Sequence, residues 1–496
     1  MVAVAQRVST EESSGAVESL SRFRAWRAFS EMEMWAHSAE ALGLPEDAVE
    51  RGVEARVREV GRLMLQSHID ARGTGNVGPQ LKVTTAGGEE RGRRAEREDR
   101  RRIVSLFGPV EAVRTAYTER GQETVHPLDE ALQLPARSPS YEVQRRLVEE
   151  AVRGPFDEAV VALDRNTGNR LPKRTVEQVA AEASQDFEAF YAQRAAPAAT
   201  ETGPLLVAAT DCKGVPMVKP EGTAHRVRRK KGDKANKKKM ATVATVDTRR
   251  PRVRTAEEVV ESLFEDVPQK NASAAKPEHK RVWASLERPQ EQVFRELAAE
   301  VAARDPLGFK LRVLLTDGER RLRRMAEKFL PGFVLVLDLL HVLEYLWKAA
   351  HAFHAENSPE ATAWVRSHAL MILRGQVSQV IKGMRQSATK RGLRGSRLKA
   401  VETAAAYFHA NRDRMHYDIY LAMGLPIASG TVEGACKHLV KDRMERSGMR
   451  WQIPGAEAIL KLRAIHLSGD LDAYWSFHKR QEQLRLHGRF TWSAAS

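Results

Sequence analysis

The chain has 496 residues, 80 of them Lys or Arg and 65 Asp or Glu, for a formal net charge of +15 at pH 7, and 42% of its residues are hydrophobic. That length accommodates roughly two to four domains with a sizeable core, and the apolar content excludes a wholly disordered protein. No window reaches the ~18 uninterrupted apolar residues of a membrane span, the two cysteines exclude a disulfide scaffold or an all-cysteine zinc site, and the excess positive charge predicts a polyanionic partner, most simply nucleic acid.

Residues 1–105 read as a helical N-terminal region. Met1–Glu12 has no apolar core of the kind a secretory signal carries, so none is expected. Phe23, Trp26, Phe29, Met32 and Trp35 recur at spacings of three and predict one apolar helix face. Arg91–Arg102 is a charge cluster diluted by acids, compatible with a solvated loop or a phosphate contact. Residues 106–200 read as further helices and form the candidate DNA-end-binding region. A helix opening near Lys173 with Thr175 as N-cap is predicted there, in a packed pair or a helix-turn-helix. Residues 195–204, rich in Ala, Pro, Thr and Gly, read as a linker.

The texture changes after the linker. Leu205–Asp211 is an apolar run ending in an acid, with Val215–Val218 able to pair with it through a Cys212-Lys-Gly turn. Arg226–Lys239 holds nine cations and one acid in fourteen residues. Such a run repels itself unless phosphates neutralise it, so Arg226, Arg228, Arg229, Lys230, Lys231, Lys237, Lys238 and Lys239 are candidate DNA contacts. Met240–Asp247, rich in β-branched residues, reads as a third strand. A helix over 289–303, a strand over 309–317, a helix over 319–329, a strand over 332–338 and a helix over 339–355 follow. Residues 357–425 show only helical periodicity, and a last helix starts at 429–434 and runs to about Met444.

Three strands that can form antiparallel hairpins, then strands joined by helical crossovers, make a mixed sheet flanked by helices. This order is RNase-H-like. The corresponding domains are 201–356 for the first part of the core, 357–425 for an all-helical insertion, 426–475 for the last part of the core, and 476–496 for a C-terminal tail.

Buried strands that end in Asp bring carboxylates to one sheet edge, which is costly unless they are solvated, hydrogen-bonded or bound to a cation. Gathered carboxylates suit Mg²⁺, a hard cation that prefers oxygen ligands. Asp211 and Asp317 are the first two candidate ligands and Glu433, on the late helix, the third. Singly, each is more often a structural turn or helix cap than a catalytic group. Lys437 and Lys441 follow Glu433 at i+4 and i+8 and are candidate phosphate contacts, the alternative being a Glu433–Lys437 ion pair. Asp338 competes with Asp317, because it too ends an apolar strand. His341 is read either as a group beside the acids or DNA, or as a packed core histidine. Cys212 and Cys436 are read as free thiols filling small spaces.

These residues resemble a family. Thr210-Asp-Cys-Lys-Gly-Val-Pro-Met217, Lys237–Val243, Leu315-Thr-Asp-Gly-Glu319, Val336-Leu-Asp-Leu-Leu-His-Val-Leu-Glu344 and Ser429-Gly-Thr-Val-Glu-Gly434 are similar to motifs of bacterial insertion-sequence DDE transposases of the ISKra type, themselves distantly similar to Mutator-like transposases. Pro127–Glu130, Gly448–Trp451 and Gly455–Leu460 extend the resemblance to residues 105–475. It departs at Cys212, where the family commonly has Gly, and at 117–122, which lacks the cysteines many relatives carry. The resemblance implies an RNase-H-like core and two Mg²⁺ (or Mn²⁺) ions held by Asp211, Asp317 and Glu433, with His341 in the motif after the second acid. It also implies DNA cleavage and strand transfer at the ends of a mobile element. The expected partners are double-stranded DNA, at element ends and target, and further copies of the chain. The expected location is the bacterial cytoplasm, on the nucleoid. The competing expectations are a catalytically inactive or repurposed DNA-binding protein with the same core, and a metal-dependent nuclease or resolvase without strand transfer.

Overall fold

In a computed structural model of the chain, residues 20–85, 90–218, 238–264, 276–428, 430–488 and 490–494 are described. Arg226, Arg228, Arg229, Lys230, Lys231 and Lys237 of the basic run lie outside them. Contacts divide the chain into two compact units, Met1–Phe190 with Asp472–Ser496, and Tyr191–Leu471. In chain order the first holds α1 (20–36), α2 (Ala39–Leu42), α3 (Glu46–Asp70), β1 (Gln80–Thr85), β2 (Glu90–Ser105), β3 (Gly108–Thr118), α4 (Pro127–Ala131), α5 (Tyr141–Arg153), α6 (Phe156–Thr167), α7 (Lys173–Ala183) and most of α8 (Phe187–Gln193). The second holds β4 (Leu205–Pro216), β5 (Lys238–Arg249), α9 (Ala256–Phe264), β6 (Glu278–Ser285), α10 (Gln290–Arg304), β7 (Leu311–Thr316), α11 (Arg320–Phe329), β8 (Val334–Leu337), α12 (Leu339–Phe353), α13 (Pro359–Leu373), α14 (Val377–Lys390), α15 (Gly395–Asn411), α16 (Tyr417–Ala422), α17 (Gly430–Ala435), a π-helical stretch Cys436–Lys441, α18 (Asp442–Met444) and α19 (Ile453–Ser468). The chain closes with α20 (Leu471–His487) and β9 (Phe490–Ala494). No helix among the described residues is long and apolar enough to cross a membrane.

The first unit corrects two expectations. β1, β2 and β3 stand over 80–85, 90–105 and 108–118 where helix is expected through 105, and the region expected as a tail from 476 holds the end of α20 and the strand β9. The four strands make an antiparallel sheet in the order β3-β2-β1-β9. The charge cluster Arg91–Arg102 lies within β2, which is exposed over most of its length and buried at Arg93 and near its end. An exposed strand has no apolar alternation to announce it. Its register is held instead by cross-strand charge pairs, Arg114 with Asp99 at 2.7 Å and Arg100 with Glu111 at 3.3 Å. Ile103, Val110 and Ala112 form a core cluster with Ile69 and Leu128. α7 starts at Lys173 with Pro172 as N-cap, so Thr175 lies inside the first turn rather than capping it. The aromatic face of α1 is in place but exposed at Phe23, Trp26 and Phe29.

The second unit is built on a five-stranded mixed sheet in the order β6-β5-β4-β7-β8. β4, β5 and β6 pair antiparallel, and β7 and β8 run parallel to β4. β4 is central, buried from Leu205 to Thr210, which is why it reads as a continuous apolar run. It continues unbroken to Pro216, so the expected turn at Cys212-Lys-Gly is instead strand, paired with β5 as far as Pro216↔Lys238. The third antiparallel strand is β6, which the sequence reading passes over. Its Val282, Trp283 and Ala284 are buried. The expected linker is pinned, because the buried Lys310 ammonium donates to the carbonyls of Ala199 and Gly203, each at 2.8 Å. α13 to α16 form a helical block, and α12 packs against α13 and α15.

Candidate active site

Parallel pairing sets the site. Thr210 on β4 faces Thr316 on β7, and Thr316 faces Leu337 on β8. The next residue on each strand is Asp211, Asp317 and Asp338, so three carboxylates emerge in step, Asp211 from within β4 and the other two just past the ends of β7 and β8, with strands ~4.8 Å apart. Successive side chains on a strand point to opposite faces. Asp211 accepts from the Cys436 thiol (Sγ to Oδ2, 3.1 Å), whereas Cys212 accepts from Gln290 Nε2 of α10 at 3.2 Å. The Gly430–Lys441 segment and α10 therefore lie on opposite faces, and Asp211 sits on the Gly430–Lys441 side.

Asp211 Oδ1 also accepts from the Cys212 amide at 2.6 Å. Asp317 Oδ1 accepts from the Glu319 amide at 2.9 Å. Burial raises the Asp317 carboxyl above its ordinary range, and the neighbouring Asp211 charge raises it further, against the pull of the Glu319 amide, His341 and Arg414. His341, on α12, is thus within electrostatic reach of Asp317, and its Nδ1 is 3.9 Å from Glu344. Glu319 is a third acid that the sequence reading misses. Its carboxyl is raised by partial burial and by Asp317 and Asp211. Its position two residues after Asp317 is the only cue the sequence carries.

Asp338 resolves its competition with Asp317. It is buried, its Oδ1 accepts from the Leu340 amide at 2.9 Å, and it N-caps α12.

Glu433 is placed differently from the expectation. It is exposed on α17. Among the described residues no group of three His, Cys, Asp or Glu side chains is close enough to hold a metal. Asp211 and Asp317 adjoin, and Glu433 does not complete a trio with them. Its segment is nevertheless anchored to the sheet twice, once at this edge and once toward the other end of β4 and β5, where Asp247 pairs with Val207. Cys436, three residues on, bonds Asp211, and the Arg249 guanidinium joins the buried Asp247 (Nε to Oδ1, 2.5 Å) to the Thr431 hydroxyl. Lys437 and Lys441 are exposed. The segment from Cys436 to Lys441 is π-helical, with i→i+5 bonds, so the α-helical i, i+4, i+8 spacing that put them on the face of Glu433 does not apply. No Glu433–Lys437 ion pair forms among the described residues. Lys239 is half-buried on β5, and the exposed Lys238 pairs with Glu445.

Both thiols are free and neutral. Burial pushes Cys212 up to about 11, and burial with the Asp211 charge pushes Cys436 far above the ordinary thiol range. Cys436 is therefore more than a filler, because its S–H orients a carboxylate.

Two further residues hold the Asp317 edge from the helical block. Arg414, buried, donates to Thr316 Oγ1 at 3.0 Å and to the Asp317 carbonyl at 3.3 Å. Tyr407 lies over Gly318 so closely that any side chain there would collide with its ring. The Asp-Gly-Glu sequence thus needs its glycine because of a residue 89 positions downstream (407 − 318).

The donor chemistry suits a hard divalent cation. Two like-charged carboxylates side by side, one with its ionisation disfavoured, gain from a cation between them.

No protein-family model matches the sequence, and no curated protein matches it. Among solved structures the chain is similar to the strand transfer complex of the Drosophila P element transposase, at 11% identity and a TM-score of 0.25, covering 69% of this chain and 81% of that one.

Proposed function

We propose that this protein is a DDE-type transposase with an RNase-H-like core, which cleaves DNA at the ends of an insertion sequence and joins them to a target. The observation that carries the reading is the in-register emergence of Asp211 and Asp317 from the central strand and its parallel neighbour, in a sheet of order β6-β5-β4-β7-β8.

In this reading water hydrolyses a phosphodiester at the element end, leaving a 3′-hydroxyl and a 5′-phosphate. That hydroxyl then displaces a 3′-oxygen of the target by transesterification. Two Mg²⁺ or Mn²⁺ ions, when bound, supply Lewis-acid activation and charge neutralisation. Asp211 and Asp317 would hold them, and Glu433, on the segment that Cys436 and Arg249 tie to the sheet, would be the third ligand. The Cys436 thiol and the Cys212 amide orient Asp211. The Glu319 amide and Arg414 orient Asp317. His341 faces the acid pair from α12. Lys437, Lys441, Lys238, Lys239 and the rest of the 226–239 run bind DNA phosphates. Two element ends must be held together, so the working species is a homo-oligomer on DNA, on the bacterial nucleoid.

The test is incubation of the full chain, in Mg²⁺, with a donor DNA carrying the element's terminal repeats and a target DNA. Joined product supports the reading. Cutting without joining supports a nuclease or resolvase, and binding without cutting supports a repurposed DNA-binding protein.

A further inference from the structure

Beside the Asp317 edge lies a second feature, whose α11 arginines the cleavage chemistry does not use. α11 carries Arg320, Arg323, Arg324 and Glu327 at i, i+3, i+4 and i+7, one face of a helix. That face lines a cavity of about 750 Å³ together with Gly318, Tyr345 of α12 and Tyr407 and Arg414 from the helical block. The volume falls within the roughly 300–1,000 Å³ of small-molecule sites.

Four guanidiniums meet one carboxylate in this cavity, and that carboxylate is taken. Glu327 binds Arg323 at 2.8 Å, and Arg323 also binds Asp413. Arg320 and Arg324 are exposed and make no hydrogen bond or ion pair among the described residues. Arg414 is 2% exposed, and its Nε has no hydrogen-bond partner among the described residues. A buried unpaired donor is costly, and like charges three and four residues apart destabilise a helix. A multiply charged anion on Arg320 and Arg324 relieves the second of these. The opposite wall is aromatic, formed by the Tyr345 and Tyr407 rings, which stack on each other at 3.8 Å and 13°.

We propose that this cavity binds a nucleotide, its phosphate on Arg320 and Arg324 and its base against the tyrosine wall. Guanidinium suits phosphate because its fork donates two parallel hydrogen bonds. The nucleotide comes either free from solution or from a DNA strand passing the Asp317 edge, since Gly318, next to Asp317, lines the cavity.

The full chain is titrated calorimetrically, without divalent ions, with dAMP, deoxyadenosine, inorganic phosphate and a short single-stranded oligodeoxyadenylate. The wild type should bind dAMP or the oligonucleotide at least about 10-fold more tightly than deoxyadenosine or phosphate alone. The Arg320→Ala/Arg324→Ala variant should lose about 10- to 100-fold. Tyr345→Leu should weaken nucleotide binding while leaving phosphate binding unchanged. Binding of dAMP assigns a free nucleotide, and binding of the oligonucleotide alone assigns a strand nucleotide. The proposal is overturned if neither binds, if phosphate binds as tightly as both, or if the arginine variant binds as the wild type does. Asp211→Asn should bind like the wild type, so loss of the catalytic reading leaves this result standing.

Discussion

Asp317 and Asp338 leave neighbouring parallel strands at the same register level, and each accepts at Oδ1 from the amide two residues on, yet their surroundings differ. Asp338 is buried and spends an oxygen on the first turn of α12. Asp317 is half-buried, keeps a single backbone donor at its Oδ1, and faces Asp211, whose charge opposes its ionisation. The lesson is that the role of a carboxylate at a strand end is set by the next few residues of the chain. A helix that starts at once consumes it as a cap. A Gly-Glu step before the helix leaves it open. Glu319 then becomes the N-cap residue of α11, without a side-chain cap bond.

Substitutions should separate these roles. The largest effect is expected from Asp211→Asn or Asp317→Asn, which should lower cleavage roughly 10²–10³-fold or more. End binding should be retained, with no loss of stability, as read by gel cleavage and denaturant unfolding. Asp338→Ala should do the reverse, costing about 1 kcal/mol of stability through the lost cap while activity per folded molecule changes little. Full loss of cleavage in a folded Asp338→Ala protein would erase the distinction.

pH sharpens the comparison. The Asp317 carboxyl is raised in the fold, so the folded state holds its proton more tightly than the unfolded chain does. Its contribution to stability is present below the unfolded carboxylate pKa, ~4, and is lost as pH rises through the higher folded value. Wild-type stability should therefore fall across that window relative to Asp317→Asn. Equal profiles would remove the argument for a repelling pair.

Burial decides how much of this was legible in the sequence. β4, β7 and β8 are covered on both faces along their apolar runs, and the acids that end those runs stand out. The count of three antiparallel strands comes out right, but from a false hairpin at Cys212-Lys-Gly that stands in for the missed β6. β2 is mostly solvated, so its charges read as a loop or a patch and the sheet of the first unit is hidden. Arg414 and Tyr407 reach the Asp317 edge from a helical block about a hundred residues away, and no local pattern marks them. Glu433 is recognisable only through its motif, and packing alone does not carry it to the other two acids.

Smaller effects should come from the surroundings. Cys436→Ala removes the thiol donor to Asp211 and should reduce cleavage several-fold, with Cys436→Ser restoring part of it. Lys437→Ala/Lys441→Ala should weaken DNA binding similarly for all sequences and reduce the salt slope by about 1–2. An unchanged slope would free these lysines from any phosphate role.

The central claim is that Asp211 and Asp317 act together on a divalent cation, and calorimetric titration of the full chain with Mn²⁺ near neutral pH tests it most directly. Saturable binding by the wild type, lost in both Asp211→Asn and Asp317→Asn and retained in Asp338→Asn, is the predicted result. Binding that survives both of the first two substitutions would contradict the account.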